Sequence, residues 1–193
     1  MTVPTLTEAF DLINKHISEK ESFSNGLVQI HNMLKIDSNF DLISLIDQHR
    51  IKYEFESFVD EAITSESLPE EIKSLYFGLR SLGNDGLIPE IVYYGSDISP
   101  DEDHDWACED SFRPDPDNLQ LTDFKIVASA LFKSNILKGS VEVLVFAGIL
   151  NLLIIENLPL LKKKFVGEKW NRKELWVGCG YFSGDAYLTA KLS

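Results

Sequence analysis

The chain of 193 residues carries 31 Asp and Glu against 18 Lys and Arg, a formal net charge of −13. Apolar residues make up 44% and charged residues 25%. That is the balance of a soluble globular protein, and it excludes a disordered chain, a collagen-like chain and a disulfide scaffold. The length favours a single domain over 1–193 with a true core.

The opening Met1-Thr2-Val3-Pro4-Thr5 lacks the basic stretch and apolar core of a secretory signal. The two cysteines, Cys108 and Cys179, form no close pair. A reducing cytoplasm is the expected home, and the spacing leaves open whether they pair.

Residues 1–66 read as a helical N-terminal portion. Thr5 or Thr7 can cap a helix carrying Phe10, Leu12, Ile13 and Ile17. Ser24 or Asn25 can open a second, with Leu27, Val28, Ile30, Met33 and Leu34. Asp37 or Ser38 can open a third, with Phe40, Leu42, Ile43, Leu45 and Ile46. Tyr53, Phe55, Phe58, Val59 and Ile63 predict a fourth. The spacings approach 3.6 residues, and the opening oxygens satisfy free N–H groups. His16, His31 and His49 lie on these helices and read as partly exposed boundary residues.

Residues 67–193 read as an α+β portion. Leu75-Tyr76-Phe77-Gly78-Leu79 is short and aromatic-rich, as a strand should be. Gly83-Asn84-Asp85-Gly86 signals a turn, and Ile88 to Tyr94 predicts the returning strand. Leu119 to Leu137 returns to helical spacing. The apolar stretch from Val141 to Leu161 is interrupted or flanked by Glu142, Asn151 and Glu156, and Pro159 limits its continuation. It reads as a buried helix of a soluble core rather than a membrane span, with a strand at its start as the alternative. Glu174 to Tyr181 and Tyr187 to Leu192 predict a closing hairpin through Ser183-Gly184-Asp185. The expected fold is α+β: a small antiparallel sheet of about four strands backed by helices.

Charge is uneven. Residues 97–118 hold nine acids and one base, Arg113, a net of −8, whereas 119–193 hold six acids and ten bases. The acidic loop is interrupted by Pro100, Pro114 and Pro116 and is long for a compact domain. Nucleic acid and anionic membrane need basic surfaces and are disfavoured as partners. A basic protein partner is the natural complement; the plainer reading is that acidity aids solubility. Asp101, Glu102, Asp103, Asp105, Glu109 and Asp110 supply the charge, with Trp106 and Phe112 among them as hot-spot side chains. Trp106 has a second reading, as the loop's anchor to its own core.

Motifs for chemistry are weak. Asp101, Asp103 and Asp105 match the first three ligands of a calcium loop, but Trp106 replaces the turn glycine and Phe112 the bidentate acid. One His and one Cys in the loop, His104 and Cys108, are too few for zinc. Gly178-Cys179-Gly180 lies in a strand pattern, where glycine permits a bulge or close backbone approach. No phosphate-cradling motif occurs. No cofactor is expected, and a binding protein is favoured over an enzyme. The alternatives are a metal-dependent hydrolase using the acidic loop, and a structural or adaptor protein with no inhibitory role.

Leu75-Tyr76-Phe77-Gly78, followed by Trp106-Ala107-Cys108-Glu109-Asp110 and Arg113-Pro114, resembles a group of small bacterial proteins that look like immunity proteins of polymorphic-toxin or contact-inhibition loci. The resemblance covers about residues 70–193. It implies a single-domain, acidic, cytoplasmic protein that neutralises a toxin by binding it. The acidic segment would then face a basic toxin domain, for instance a nuclease. The resemblance assigns no functional residue.

Overall fold

The computed structural model describes residues 4–34, 40–65, 67–82, 86–115, 117–136, 139–167, 171–181 and 186–193. Helix α1 (Leu6–Glu19) starts on a reciprocal cap. The Glu8 amide donates to Thr5 Oγ1 at 3.2 Å, and the Thr5 amide donates to the Glu8 carboxylate at 2.7 Å. Each satisfies an N–H that the helix leaves free. Helix α2 (Phe23–Leu34) begins behind Ser22, just before the predicted opening. At Gly26 a Cβ would stand 2.4 Å from a Leu152 methyl, so the missing side chain lets α2 approach the long apolar helix this closely without displacing Leu152.

Helix α3 (Leu42–Leu45) is a single turn capped by Asp41, whose carboxylate accepts from the Ile43 amide at 3.0 Å. Asp37 and Ser38 lie outside the described residues, as do the turn residues 83–85 and 183–185 and Leu137. Helix α4 (Gln48–Ser65) is tied to α5 (Thr122–Lys133) by two carboxylates. Glu54 accepts from the Thr122 amide and hydroxyl at 2.9 and 2.6 Å, an anion placed at a helix N-terminus. Asp123, fully buried, accepts from Arg50 at 3.0 and 2.9 Å and from the Asp47 amide at 2.8 Å.

The apolar stretch is helical throughout. Helix α6 (Gly139–Glu142) passes through one π turn (Val143–Ala147) into α7 (Gly148–Phe165). Asn151 Nδ2 donates to the Ala147 carbonyl at the end of the π turn, and its Oδ1 accepts from Thr189 on the sheet. The combined helix, Gly139–Phe165, is long and apolar enough to cross a membrane, with a mean hydropathy of 2.0 in its most apolar window, but 72% of that window is buried inside the protein. It is the core helix that α1, α2 and β5 surround. The expected limit at Pro159 does not hold, because α7 continues to Phe165. Burial of Leu161 and Phe165 outweighs the lost backbone bond.

The α+β expectation holds, with two differences in the sheet. Among the described residues it has five strands rather than four, in the order β3-β2-β1-β4-β5, and it is mixed rather than antiparallel. Strands β1 (Ser74–Leu82) and β2 (Gly86–Ser96) form the first hairpin. Strands β4 (Leu175–Tyr181) and β5 (Ala186–Leu192) form the second. The hairpins join through a parallel β1–β4 pair, with Ser74 opposite Trp176. The added strand, β3 (Asn118–Leu119), is two residues at the tail of the acidic loop that pair with Ile91 and Val92.

Alternation along β1 and β2 splits the sheet into two faces. Leu75, Phe77, Leu79, Ile91 and Tyr93 face the helices and the main core. Tyr76, Val92 and Tyr94 face the other way and form a second apolar cluster with Trp106 and Ala107. Both faces of the hairpin are covered, which is why Leu75 to Leu79 reads as unbroken apolar sequence.

Candidate partner-binding surface

The acidic loop is laid across the outer face of the sheet and fastened at several points. At its start, Ser74 Oγ donates to the Ile98 carbonyl at 2.7 Å. Glu102 then folds back. Its carboxylate accepts from the Ser99 amide and hydroxyl at 2.8 and 3.0 Å and from Lys73 Nζ at 2.6 Å. The Lys73 ammonium and the Ser99 donors hold the Glu102 carboxyl down at about 2. Asp103 accepts from the Asp105 amide at 2.9 Å, a local turn.

The middle of the loop is held by aromatic packing. Trp106 opens a short 3₁₀ turn (Trp106–Cys108) and is only 4% exposed. Its ring meets Tyr76 edge-on, with centroids 5.8 Å apart. It lies over Gly178, where a Cβ would stand 2.8 Å from the indole and 2.7 Å from the Tyr187 carbonyl. The glycine expected to permit close approach does so, and a register shift falls beside it in the β4–β5 pair. The Tyr94 hydroxyl donates to the Ala107 carbonyl. Burial pushes the Tyr76 and Tyr94 phenols well above their ordinary range, so both remain neutral donors.

The return of the loop runs along β2. Gly95 exchanges backbone hydrogen bonds with Phe112 at 2.8 and 3.0 Å, and the Tyr93 amide donates to the Asp117 carbonyl at 2.8 Å. Arg113 gathers the two nearby acids: Asp110 accepts from its Nε at 2.7 Å, and Asp117 lies 3.6 Å from its Nη1. Its guanidinium also lies over the Tyr94 ring, 5.6 Å from the centroid.

These contacts sort the predicted binding residues. Glu102 and Asp110 are exposed but paired within the protein. Phe112 is half-buried against the main core, and Trp106 is the anchor of the loop rather than a presented side chain. Asp101, Asp103, Asp105 and Glu109 are exposed, and no ion pair to them occurs among the described residues. Asp97 and Asp115 are exposed on the same loop as well, and Asp97 accepts a hydrogen bond from the Ser111 hydroxyl. The sequence marked the acidic segment but not which acids its own cations neutralise.

Other chemistry finds little footing. Among the described residues no three His, Cys, Asp or Glu side chains converge as for a metal. Cys108 and Cys179 are both free thiols. Cys179 is buried, and burial pushes its thiol far up, away from the thiolate that a nucleophile requires. His31 is half-buried and His49 exposed, as expected. His16 departs from that expectation: it is fully buried, and among the described residues no group meets either ring nitrogen in good hydrogen-bond geometry. Its position shows why, since Ala9, Leu12, Ile13 and His16 share one buried helical face.

Comparison with family models, with curated proteins and with solved structures finds no match, so the reading of this surface rests on its own geometry.

Proposed function

We propose that this chain is a cytoplasmic partner-binding protein that meets a basic protein domain through the loop 97–117, and that it inhibits that partner as immunity proteins inhibit toxins. One observation carries the reading. The loop is fastened to the sheet by Trp106, Gly95 and Glu102, yet it leaves Asp101, Asp103, Asp105 and Glu109 facing solvent without a cation partner among the described residues. A loop ordered before contact loses little entropy on binding, and unpaired carboxylates steer a basic surface toward it. The metal-dependent hydrolase has no convergent ligand set among the described residues to favour it.

The test begins with capture from bacterial lysate at low salt, identification of the retained basic protein, and measurement of its toxicity with and without this chain. Association is then followed over a salt series for the wild type and for the variant Asp101→Asn, Asp103→Asn, Asp105→Asn, Glu109→Gln. The variant should associate at least about ten-fold more slowly at low salt and show a flatter salt dependence. Equal rates for the two proteins would remove this loop from the interface.

A further inference from the structure

Helices α1 and α2 converge on the start of α7. A Cβ at Gly148 would stand 3.0 Å from Ile30 of α2 and 3.9 Å from Ile13 of α1. The buried face of α1 consists of Ala9, Leu12, Ile13 and His16, and of these only His16 can take a charge. It lies one turn beyond Ile13, at 0% exposure.

The corner between the two helices is closed around the same residue. The Glu21 amide donates to the His16 carbonyl at 2.9 Å. The Glu21 carboxylate accepts from the Ser22 amide at 2.9 Å and from Gln29 of α2 at 2.8 Å. Lys20, between them, holds a left-handed backbone at φ 49°, a conformation that favours glycine or asparagine. The turn therefore carries strain that opening would release.

The surroundings keep the imidazole neutral. Burial is the largest influence and pulls its pKa below the ordinary 6.5; Gln29, Glu21 and Glu19 act against it, and Lys15 acts with it. Charged groups on the elements packed against α1 are turned elsewhere. Glu156 of α7 accepts from Lys52 and from the Phe23 amide, Lys191 of β5 pairs with Glu174, and His31 of α2 sits 3.9 Å from Asp41. Glu142 of α6 is half-buried, and burial pushes its carboxyl up, so acid removes a cost there rather than adding one. A closed corner thus pays to hold an imidazolium, whereas an open one gives it to water. Units of this size can open below the free energy of global unfolding.

We propose that the α1–α2 corner is an acid-sensitive latch: when His16 takes a proton, α1 and α2 leave the core helix together and uncover its apolar face while the sheet stays folded. The latch uses no residue of the acidic loop, so its test is independent of the partner reading.

The test is amide hydrogen exchange of the full chain by NMR at pH 7.5 and pH 5.5, corrected for the intrinsic pH dependence of exchange. Between these values a solvated imidazole gains about ten-fold over a buried neutral one. Protection over residues 6–34 should fall by that factor, and at pH 5.5 it should lie at least about ten-fold below that of β1 and β2. His16→Leu and His16→Gln are neutral at both pH values, and each should abolish the fall. Equal protection of residues 6–34 and of the sheet at pH 5.5 would mean that the corner opens only by global unfolding, and it overturns the proposal. So does unchanged protection of residues 6–34 in the wild type, or the same fall in the variants.

Discussion

Trp106 and Gly178 touch across the outer face of the sheet: the indole occupies the space where any other residue at 178 would place its Cβ. This contact turns a charged loop into a fixed surface. Gly178→Ala should destabilise the protein by about 1–3 kcal/mol, because the backbone carbonyl of Tyr187 cannot swing aside as a side chain would. Trp106→Ala should cost about 3–5 kcal/mol through the emptied site. Urea titration of both variants, with hydrogen exchange at residues 97–117, checks the pair. Wild-type stability in Gly178→Ala would show that the loop does not sit on β4.

A second prediction concerns the buried carboxylate of Asp123. It takes both arms of Arg50 and the Asp47 amide, and so joins α4 and the preceding turn to α5. Asp123→Ala leaves a cation and an amide without their acceptor and should cost on the order of 3 kcal/mol. Arg50→Met/Asp123→Leu should recover part of that loss, since both partners leave together. Thermal unfolding of the three proteins measures the difference.

His16 gives the stability a pH dependence of definite sign. Burial pushes its folded-state pKa below the ordinary value of 6.5. The unfolded chain therefore takes up a proton below pH 6.5 that the native state refuses. Stability is full above that value and falls as pH drops through it, by at most about 1.4 kcal/mol per pH unit from this one group. His16→Leu removes the term. The gap between variant and wild type should widen in favour of the variant from pH 7.5 to pH 5.5. A constant gap in denaturant titrations would show that His16 is not the group responsible.

Pro159 sits inside α7 and has no N–H to give the Ile155 carbonyl. Pro159→Ala restores that bond and relieves the ring's clash with the preceding turn. The expected gain is about 1–3 kcal/mol, bounded by the propensity difference between the two residues. Denaturant midpoints of the two proteins check it.

Local signals in the sequence were strong wherever a single element suffices. A threonine cap at Thr5 or Thr7, the apolar periods of α1, α2 and α4, and both hairpins can be read from neighbours along the chain. The parallel β1–β4 pair is not local, and no short pattern specifies which strand edge another will seek. Strand β3 is too short to carry a period. Pro159 misled because a local backbone preference yields to the burial of a long apolar helix. At the surface, composition marked the acidic loop, and the glycines of β4 marked a close approach. The pairing of Glu102 with Lys73 and of Asp110 with Arg113 depends on where the loop lands, so the solvent-facing acids emerge only once the chain is folded.

The parallel pair also sets the order of events as the chain is made. Ser74 must wait for Trp176, and more than half of the chain lies between them. Helices and the first hairpin form from near neighbours, but loop closure delays the central seam of the sheet until the second hairpin arrives. In that interval β1 shows a bare edge, the apolar core helix lacks its strand cover, and Trp106 lacks the glycine it rests on. A chain ending before β4 would keep that edge and that apolar surface exposed together, the two features that favour aggregation.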